Sequence, residues 1–185
     1  MPAPDRARFA GIIHAETGRL TRLVDDLLDL AVLEGGRARL TPAVVNLHDL
    51  IERALAASRA GDAGRGPVLL RDIPAEHLML ITDPDRLLQV LINVLANARK
   101  YCDAPAPEIR IETRRLRDGR IEIDIADNGA GIPPEHEALI FEKFARLDDP
   151  ARAGGAGLGL AICREIMQFL GCLLYTSPSP RDKRQ

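Results

Sequence analysis

The feature that most restricts the fold is a long segment near the start of the chain, in which apolar residues recur at spacings of three and four. This heptad pattern covers residues 8–34, and Gly35-Gly36 follows as a C-terminal helix cap. The pattern predicts one long helix. Because so narrow an apolar stripe is stabilised mainly by packing on partners, we expect a helical bundle with partner helices from outside this sequence. The stripe comprises Phe9, Ile13, Glu16 (its polar interruption), Leu20, Leu23, Leu27 and Leu30.

Three further helices are predicted, and two of them begin at strong N-terminal caps. Asn46 with Asp49 forms a capping pair, and Asp83 precedes a proline at the first helical position. The helices are expected over 47–59, 84–101 and about 157–170. In the first of them, the residues expected to face inward are Leu47, Leu50, Ile51, Ala54 and Leu55.

Strand patterns lie between these helices. Apolar residues alternate on both sides of Asp118-Gly119, a dipeptide typical of hairpin turns, which predicts an antiparallel β-hairpin. Helices mixed with such a hairpin predict an α+β fold, with a layer of helices on one face of a sheet. The expected strands cover 44–45, 68–73, 78–82, 109–113 and 121–125.

Composition disfavours several classes of function. The net charge is −2 and aromatic residues make up 3% of the chain, so a nucleic-acid binder with a basic surface or a stacking platform is not expected. No apolar run reaches the length of a membrane span, and the start lacks the apolar core of a signal peptide. Cys102, Cys163 and Cys172 are too far apart for a metal-binding pair, which suits a reducing cytoplasm.

The first of four clusters with chemical potential lies on the predicted helix over 84–101. Asn93, Asn97 and Lys100 are four and three residues apart and therefore share one helix face. An amide oxygen is a hard ligand suited to Mg²⁺, and a neighbouring lysine can neutralise phosphate. Taken alone, the cluster also fits the solvated polar face of an amphipathic helix.

The second cluster follows the last predicted strand. Asp127 stands at the strand end, and Gly129 and Gly131 let the backbone approach a flat ligand closely. A carboxylate can accept a hydrogen bond from an exocyclic amine such as that of adenine. The alternative is an ordinary Asp-Asn-Gly turn.

The third and fourth clusters precede and open the last helix. Phe141 and Phe144, with Arg146 nearby, are typical of a mobile loop that closes on a ligand, or of a short helix packed on the core. The glycine-rich run 155–160 opens the helix, where free N–H groups and the helix dipole can hold phosphate. No parallel strand leads into these glycines and no Gly-Lys-Ser/Thr follows, which excludes Rossmann and Walker loops.

In this order, the four clusters resemble the catalytic and ATP-binding domain of sensor histidine kinases, over about residues 40–171. The resemblance implies the Bergerat fold of gyrase, Hsp90, MutL and these kinases, a two-layer α/β sandwich with a mixed sheet. The segment 19–31 is similar to the second helix of the family's dimerisation and phosphotransfer hairpin. The expected division is 6–36 for that helix, 37–171 for the ATP-binding domain and 172–185 for a non-native tail. The corresponding N, G1, F and G2 boxes are Asn93–Tyr101, Asp127–Pro133, Phe141–Phe144 and Gly155–Leu160.

The resemblance also implies ATP and Mg²⁺ as cofactors and a role for each residue. Asp127 would contact the adenine amine and Asn97 would ligate Mg²⁺. Asn93 and Lys100 would face the phosphates, and Tyr101 would flank the base. The catalytic positions implied are Asn93, Lys100 and Arg146. The other nucleotide-binding positions implied are Gly129, Gly131, Ile132, Phe141, Gly155, Gly157, Leu158, Gly159 and Leu160.

The activity implied is phosphoryl transfer from Mg-ATP to a histidine, and from there to an aspartate of a response regulator receiver domain. The intact protein would be a homodimer through residues 8–34. The part of it given by this sequence would lie in the cytoplasm. Hydrolysing relatives carry Glu at the position of Asn93, and an amide cannot accept the proton of an attacking water. A non-catalytic adenine-nucleotide-binding or dimerisation module stays open, as does a Bergerat ATPase.

Several features depart from the family pattern. The acceptor histidine and any membrane anchor are expected ahead of Met1, while His14 lacks the acceptor motif and is expected to be solvated. Two further strands expected after the last helix are missing, which would leave an open sheet edge. Cys102 and Ala156 stand where the family usually has Ser or Thr, and both would remove a hydroxyl near the phosphates.

Overall fold

The computed structural model describes residues 3–36, 38–59, 66–73, 78–146 and 156–176. It contains four α-helices and five strands within those ranges, in an order that mixes the two throughout. The first helix begins earlier than predicted, at Ala3, and ends at the predicted glycines. In chain order the elements are α1 (Ala3–Glu34), β1 (Ala43–Asn46), α2 (Leu47–Ser58), β2 (Val68–Asp72), β3 (Met79–Thr82), α3 (Pro84–Tyr101), β4 (Glu108–Arg115), β5 (Ile121–Asp127) and α4 (Gly159–Phe169).

The strands form two sheets. β1 pairs antiparallel with β3, and the second sheet has the order β2-β4-β5. The predicted hairpin is confirmed, since β4 and β5 are antiparallel, with Ile111 opposite Ile125. β2 pairs with β4 in parallel, with Leu69 opposite Ile109, a pairing that the hairpin pattern did not predict. The mixed sheet and its helices confirm the α+β fold class.

Two apolar cores hold these layers together. The first core lies between the sheet and the helices α2 and α3 and includes all five α2 residues that were predicted to face inward. The second core joins α1, α3 and α4, so the last helix packs on the first and third helices. Its buried members are Leu30, Leu33, Val90, Leu158, Ile162, Cys163 and Ile166.

The apolar stripe of α1 is divided between two environments. Leu30 is 4% exposed and packs in the second core, whereas Ile13 is 65% exposed. Asp29, on the same helix, accepts hydrogen bonds from Gln89 Nε2 at 2.7 Å and from the Arg86 guanidinium at 3.3 Å. The C-terminal part of α1 therefore packs on α3 and α4 of the same chain. His14 is exposed, as predicted. Among the described residues, no helix combines the length and apolar character needed to cross a membrane.

Candidate functional site

The helix α3 carries the polar face that the sequence singled out, and its first turn is firmly capped. Asp83 is buried and accepts hydrogen bonds from the backbone N–H groups of Thr41 at 2.8 Å and of Asp85 and Arg86 at 3.1 Å each. Burial raises the pKa of the Asp83 carboxyl, but these hydrogen bonds outweigh that effect, so its pKa lies below the ordinary value. An ionised cap at this end stabilises the helix.

One end of the site, here called the carboxylate end, consists of Tyr101, Asp127 and Gly129. Asp127 is the last residue of β5, and its Oδ1 accepts a hydrogen bond from the N–H of Gly129 at 2.8 Å. A Cβ atom at Gly129 would lie 3.1 Å from the Tyr101 carbonyl oxygen and 3.2 Å from Cys102 Cα. Glycine is required here because the loop approaches the last turn of α3 so closely.

The other end, here called the amide end, consists of Asn93, Gly157 and Gly159. Asn93 Nδ2 lies 3.5 Å from the carbonyl oxygen of Gly159, the first residue of α4. A Cβ atom at Gly159 would meet Asn93 Cγ at 3.7 Å, an ordinary contact distance. The preceding Leu158 makes no side-chain capping hydrogen bond, so the N-terminus of α4 presents its N–H groups beside Asn93.

Gly157 is held by the segment that precedes it in the chain. Its φ angle is +71°, and its carbonyl oxygen accepts a hydrogen bond from the N–H of Phe144 at 2.9 Å. A Cβ atom there would lie 2.7 Å from the carbonyl oxygen of Ala145. Both the left-handed backbone and the close approach therefore require glycine at this position.

Asn97 lies between the two ends of the site. It is half-buried and stands one helical turn beyond Asn93, on the same face. Asn93 and Tyr101 are eight residues apart, which corresponds to about 12 Å along the helix axis. Lys100 Nζ donates to the Tyr101 hydroxyl at 3.0 Å and lies 4.7 Å from the ring centroid. Its ammonium group is thus directed to the carboxylate end, whereas its spacing in the sequence predicted that it would lie beside the amide groups of Asn93 and Asn97.

The segment between the two glycine turns contains the remaining predicted residues. Two short 3₁₀ turns, Pro134–His136 and Leu139–Phe141, replace the single short helix that was one alternative. Phe144 is exposed and has a φ angle of 62°, which is uncommon for a bulky residue. Glu142 accepts a hydrogen bond from the Arg164 guanidinium at 2.8 Å, which ties this segment to α4.

The other predicted site residues lie on or beside these elements and differ in exposure. Phe141 and Leu160 are half-buried, Leu158 is buried, and Gly131, Ile132 and Arg146 are exposed. Gly131 has a φ angle of 78°, which suits a glycine turn. Gly155 lies outside the described residues.

Three residues near the site were missed by sequence reasoning. Asn128 and Asp103 anchor the loops of the carboxylate end through hydrogen bonds at 2.9 Å and 3.1 Å. Cys163 is buried between α3 and α4, where burial raises the pKa of its thiol to about 12 despite a hydrogen bond with Asn93. Cys102, predicted among the phosphate-facing positions, lies instead at the carboxylate end, with Sγ 3.1 Å from Asn128 Oδ1. A signal was present only for Asn128, which belongs to the Asp-Asn-Gly sequence.

The donor set can be tested for a metal ion. No group of three or more His, Cys, Asp or Glu side chains arranged to hold a metal occurs within the described part of the chain. Asn97 offers an amide oxygen between the two ends. This fits Mg²⁺, which takes few protein ligands and shares the oxygens of substrate phosphates.

Comparisons with known proteins show which family the chain resembles. Residues 82–184 match the family of histidine kinase-, DNA gyrase B-, and HSP90-like ATPases. Over 163 residues the chain is 35% identical to the sensor protein kinase WalK of Staphylococcus haemolyticus, covering 86% of this chain and 26% of that protein. Over 165 residues it is 37% identical to the sensor protein KdpD of Escherichia coli K12, covering 89% of this chain and 18% of that protein. The chain therefore spans about a quarter or less of these relatives.

A solved structure extends the similarity to the fold. Full-length ShkA in complex with AMPPNP superposes with a TM-score of 0.76 at 28% identity. The similarity covers 92% of this chain and 35% of that one, so it includes the long first helix as well as the α+β layers.

Proposed function

Because the chain belongs to the histidine kinase-, DNA gyrase B-, and HSP90-like ATPase family, we propose that it binds Mg-ATP across α3 as the catalytic part of a sensor histidine kinase. The observation that carries this proposal is the convergence of two glycine turns on one helix face. Gly129 approaches the last turn of α3, and Gly159 approaches Asn93 near its middle. An extended nucleotide would lie along α3, with its base at one end and its phosphates at the other.

Base recognition is assigned to the carboxylate end. Asp127 already accepts one hydrogen bond from Gly129 at Oδ1, and a carboxylate has capacity for several more. It can therefore accept from the exocyclic amine of adenine. Gly129 lets its loop lie close against the last turn of α3, and Tyr101 provides an exposed aromatic flank for the base.

The phosphates are assigned to the amide end. The N–H groups at the start of α4 and the helix dipole both favour negative charge. Asn97 would hold Mg²⁺ through its amide oxygen, and the exposed Arg146 would supply a cation. Lys100 is not assigned to the phosphates, because its ammonium group lies against Tyr101 at the carboxylate end. When bound, Mg²⁺ supplies charge neutralisation on the phosphate oxygens during transfer.

Asn93 favours transfer to a histidine over hydrolysis. A general base must accept a proton from the attacking water, and an amide nitrogen or oxygen cannot do so at neutral pH. An imidazole nitrogen is a stronger nucleophile than water and attacks the γ-phosphorus directly, with ADP as the leaving group. The site then needs only to hold the reactants in line and balance charge.

The acceptor histidine is proposed to come from another helix of the bundle. His14 is exposed on α1 and lacks the acidic neighbour of the acceptor motif. The exposed apolar residues of α1 are proposed to pack in a homodimeric helical bundle that carries the acceptor. A response regulator receiver domain would then take the phosphoryl group onto an aspartate. These exposed apolar residues of α1 include Phe9, Ile13, Leu20, Val24 and Leu28.

Transfer in trans tests the proposal. The chain is mixed with radiolabelled ATP, Mg²⁺ and a separately prepared histidine kinase hairpin that carries an acceptor histidine. We expect acid-labile label on the hairpin, lost in the Asp127→Asn variant and unaffected by His14→Gln. Nucleotide binding without transfer would instead indicate a binding module, and steady phosphate release without the hairpin would indicate an ATPase.

A further inference from the structure

We propose that Asn128 and Cys102 are positioning residues that fix the Asp127 carboxylate and thereby set the discrimination between purine bases. The inference rests on the proposed function, because it concerns how the base of the nucleotide is read. Neither residue needs to touch the nucleotide. Their effect is carried by the loop that follows α3 and by the loop that follows β5.

Asn128 joins these two loops through three hydrogen bonds. Its side-chain Oδ1 accepts from the N–H of Glu108 at 2.9 Å, and its Nδ2 donates to the carbonyl oxygen of Ala106 at 2.9 Å. Its backbone N–H donates to the carbonyl oxygen of Glu108 at 3.2 Å. The residue directly after Asp127 therefore binds backbone groups of the neighbouring loop and of the first residue of β4.

Cys102 adds a link to α3 itself. Its Sγ lies 3.1 Å from Asn128 Oδ1, within range for the thiol to donate a weak hydrogen bond. On the far side of the turn, Asp103 Oδ1 accepts from the N–H of Ala130 at 3.1 Å. The turn after Asp127 is thus anchored at Asn128 and at Ala130 to the connection between α3 and β4.

Such anchoring affects base recognition more than phosphate binding. A site built to pair with an amine rejects an analogue that lacks it, because the buried polar group is then left without a partner. This discrimination depends on the placement of the Asp127 carboxylate, which the Asn128 contacts determine. The residues assigned to the phosphates lie at the amide end, about 12 Å away along the axis of α3.

The experiment measures the dissociation constants of AMPPNP and of the matching inosine analogue with Mg²⁺, by calorimetry. The inosine base carries an oxygen in place of the adenine amine. Because the two nucleotides are otherwise the same, the ratio of their dissociation constants measures recognition of the base alone. In Asn128→Ala we expect the preference for adenine to fall about tenfold, equivalent to about 1.4 kcal/mol. Binding of the inosine analogue should change little.

Three further variants make the series sharper. Asn128→Asp keeps the acceptor for Glu108 but loses the donor to Ala106, so it should lower the adenine preference even if Asn128→Ala does not fold. Cys102→Ala should lower the preference about twofold to threefold, the scale of one weak hydrogen bond. Cys102→Ser retains a donor and should restore the original preference.

Asn46→Ala is the matched control, since the Asn46 side chain also accepts from a backbone N–H but caps α2, which carries no residue of the site. It should lower stability and leave the ratio of dissociation constants unchanged. An Asn128 variant that weakens both nucleotides equally, or keeps the ratio of the original chain, overturns the inference. If Asp127→Ala leaves the ratio unchanged, Asp127 does not recognise the adenine base. That result contradicts the proposed function itself and not only the role of Asn128.

Discussion

The two ends of the candidate site are built by different forces. At the carboxylate end, side chains bind backbone: Gly129 N–H to Asp127 at 2.8 Å and Glu108 N–H to Asn128 at 2.9 Å. At the amide end, the contact between Asn93 and Gly159 is a long 3.5 Å, and α4 is held mainly by its apolar face. Polar anchors define one end, and helix packing defines the other.

This difference has a consequence for coupling within the chain. The buried face of α4 packs on Leu30 and Leu33 of α1 as well as on α3. Lys143, in the segment before α4, also forms an ion pair with Glu34 at the end of α1. A displacement of α1 should therefore disturb the amide end strongly and the carboxylate end little.

The largest effect is expected where apolar packing carries the amide end. Ile162 is 0% exposed, and Ile162→Ala should lower the free energy of unfolding by about 2–5 kcal/mol, since it leaves a cavity between α4 and its neighbours. Urea titration measures the loss. The 78% exposed Ile81 provides a control, since Ile81→Ala should change stability by less than about 0.5 kcal/mol.

Hydrogen exchange in the Ile162→Ala variant tests whether the two ends of the site are stabilised independently. The amides of α4 should exchange faster, while the N–H of Gly129 should keep its protection because Asp127 still accepts from it. Equal loss of protection at both ends would mean that they are one cooperative unit.

Two glycines with similar φ angles allow the cost of a left-handed backbone to be measured separately from the cost of crowding. Gly157 and Gly171 have φ angles of +71° and +70°, but a Cβ atom meets Ala145 only at Gly157. Gly171→Ala should cost about 1 kcal/mol from the left-handed backbone alone. Gly157→Ala should cost about 1–3 kcal/mol more, because the neighbouring segment must also move. Thermal unfolding of both variants measures the difference, and equal costs would contradict the close approach.

Acid should weaken the helix that carries both ends. Since the pKa of Asp83 lies below its ordinary value of 3.8, its contribution is complete above that value and is lost as the pH falls through the folded-state pKa. Asp83→Asn should therefore cost about 1 kcal/mol at pH 7. That difference should shrink in urea titrations as the pH falls below the ordinary value of 3.8. A difference independent of pH would show that the charge of the cap is irrelevant.

The smallest effect on stability is expected at Gly159. A Cβ atom there meets only Asn93 at ordinary contact distance, so Gly159→Ala should change the free energy of unfolding by less than about 0.5 kcal/mol. The added methyl group would nevertheless occupy the space between Asn93 and the start of α4. Affinity for Mg-AMPPNP should fall while the free energy of unfolding stays the same. If the variant binds as tightly as the original chain, the phosphates do not bind at the amide end.

Local features of this fold were predictable from sequence. The N-caps Asn46 and Asp83 are both confirmed, and their capping hydrogen bonds join residues no more than three apart in the chain. The α2 residues that face inward follow from helical spacing, and the β4–β5 hairpin follows from its turn dipeptide. In each case the determining interactions lie close together in the chain.

Features that depend on distant partners were not predictable in the same way. The parallel pairing of β2 with β4 joins strands separated by another strand and a helix. Leu30 was expected in a helical bundle but packs in the second core, because an apolar stripe does not specify its partner. Asn128 looked like an ordinary turn residue, and its partner Glu108 lies 20 residues earlier. The site roles themselves stay predictions.

Calorimetric titration of Mg-AMPPNP into the chain and its Asp127→Asn variant tests the central claim most directly. The variant carries a neutral amide in place of the carboxylate, so the charge-assisted hydrogen bond to the adenine amine would be lost. We expect saturable binding to the original chain and an affinity lower by about tenfold or more in the variant. Absence of binding to the original chain, or equal affinity of the two proteins, would contradict a nucleotide held along α3 with its base at Asp127.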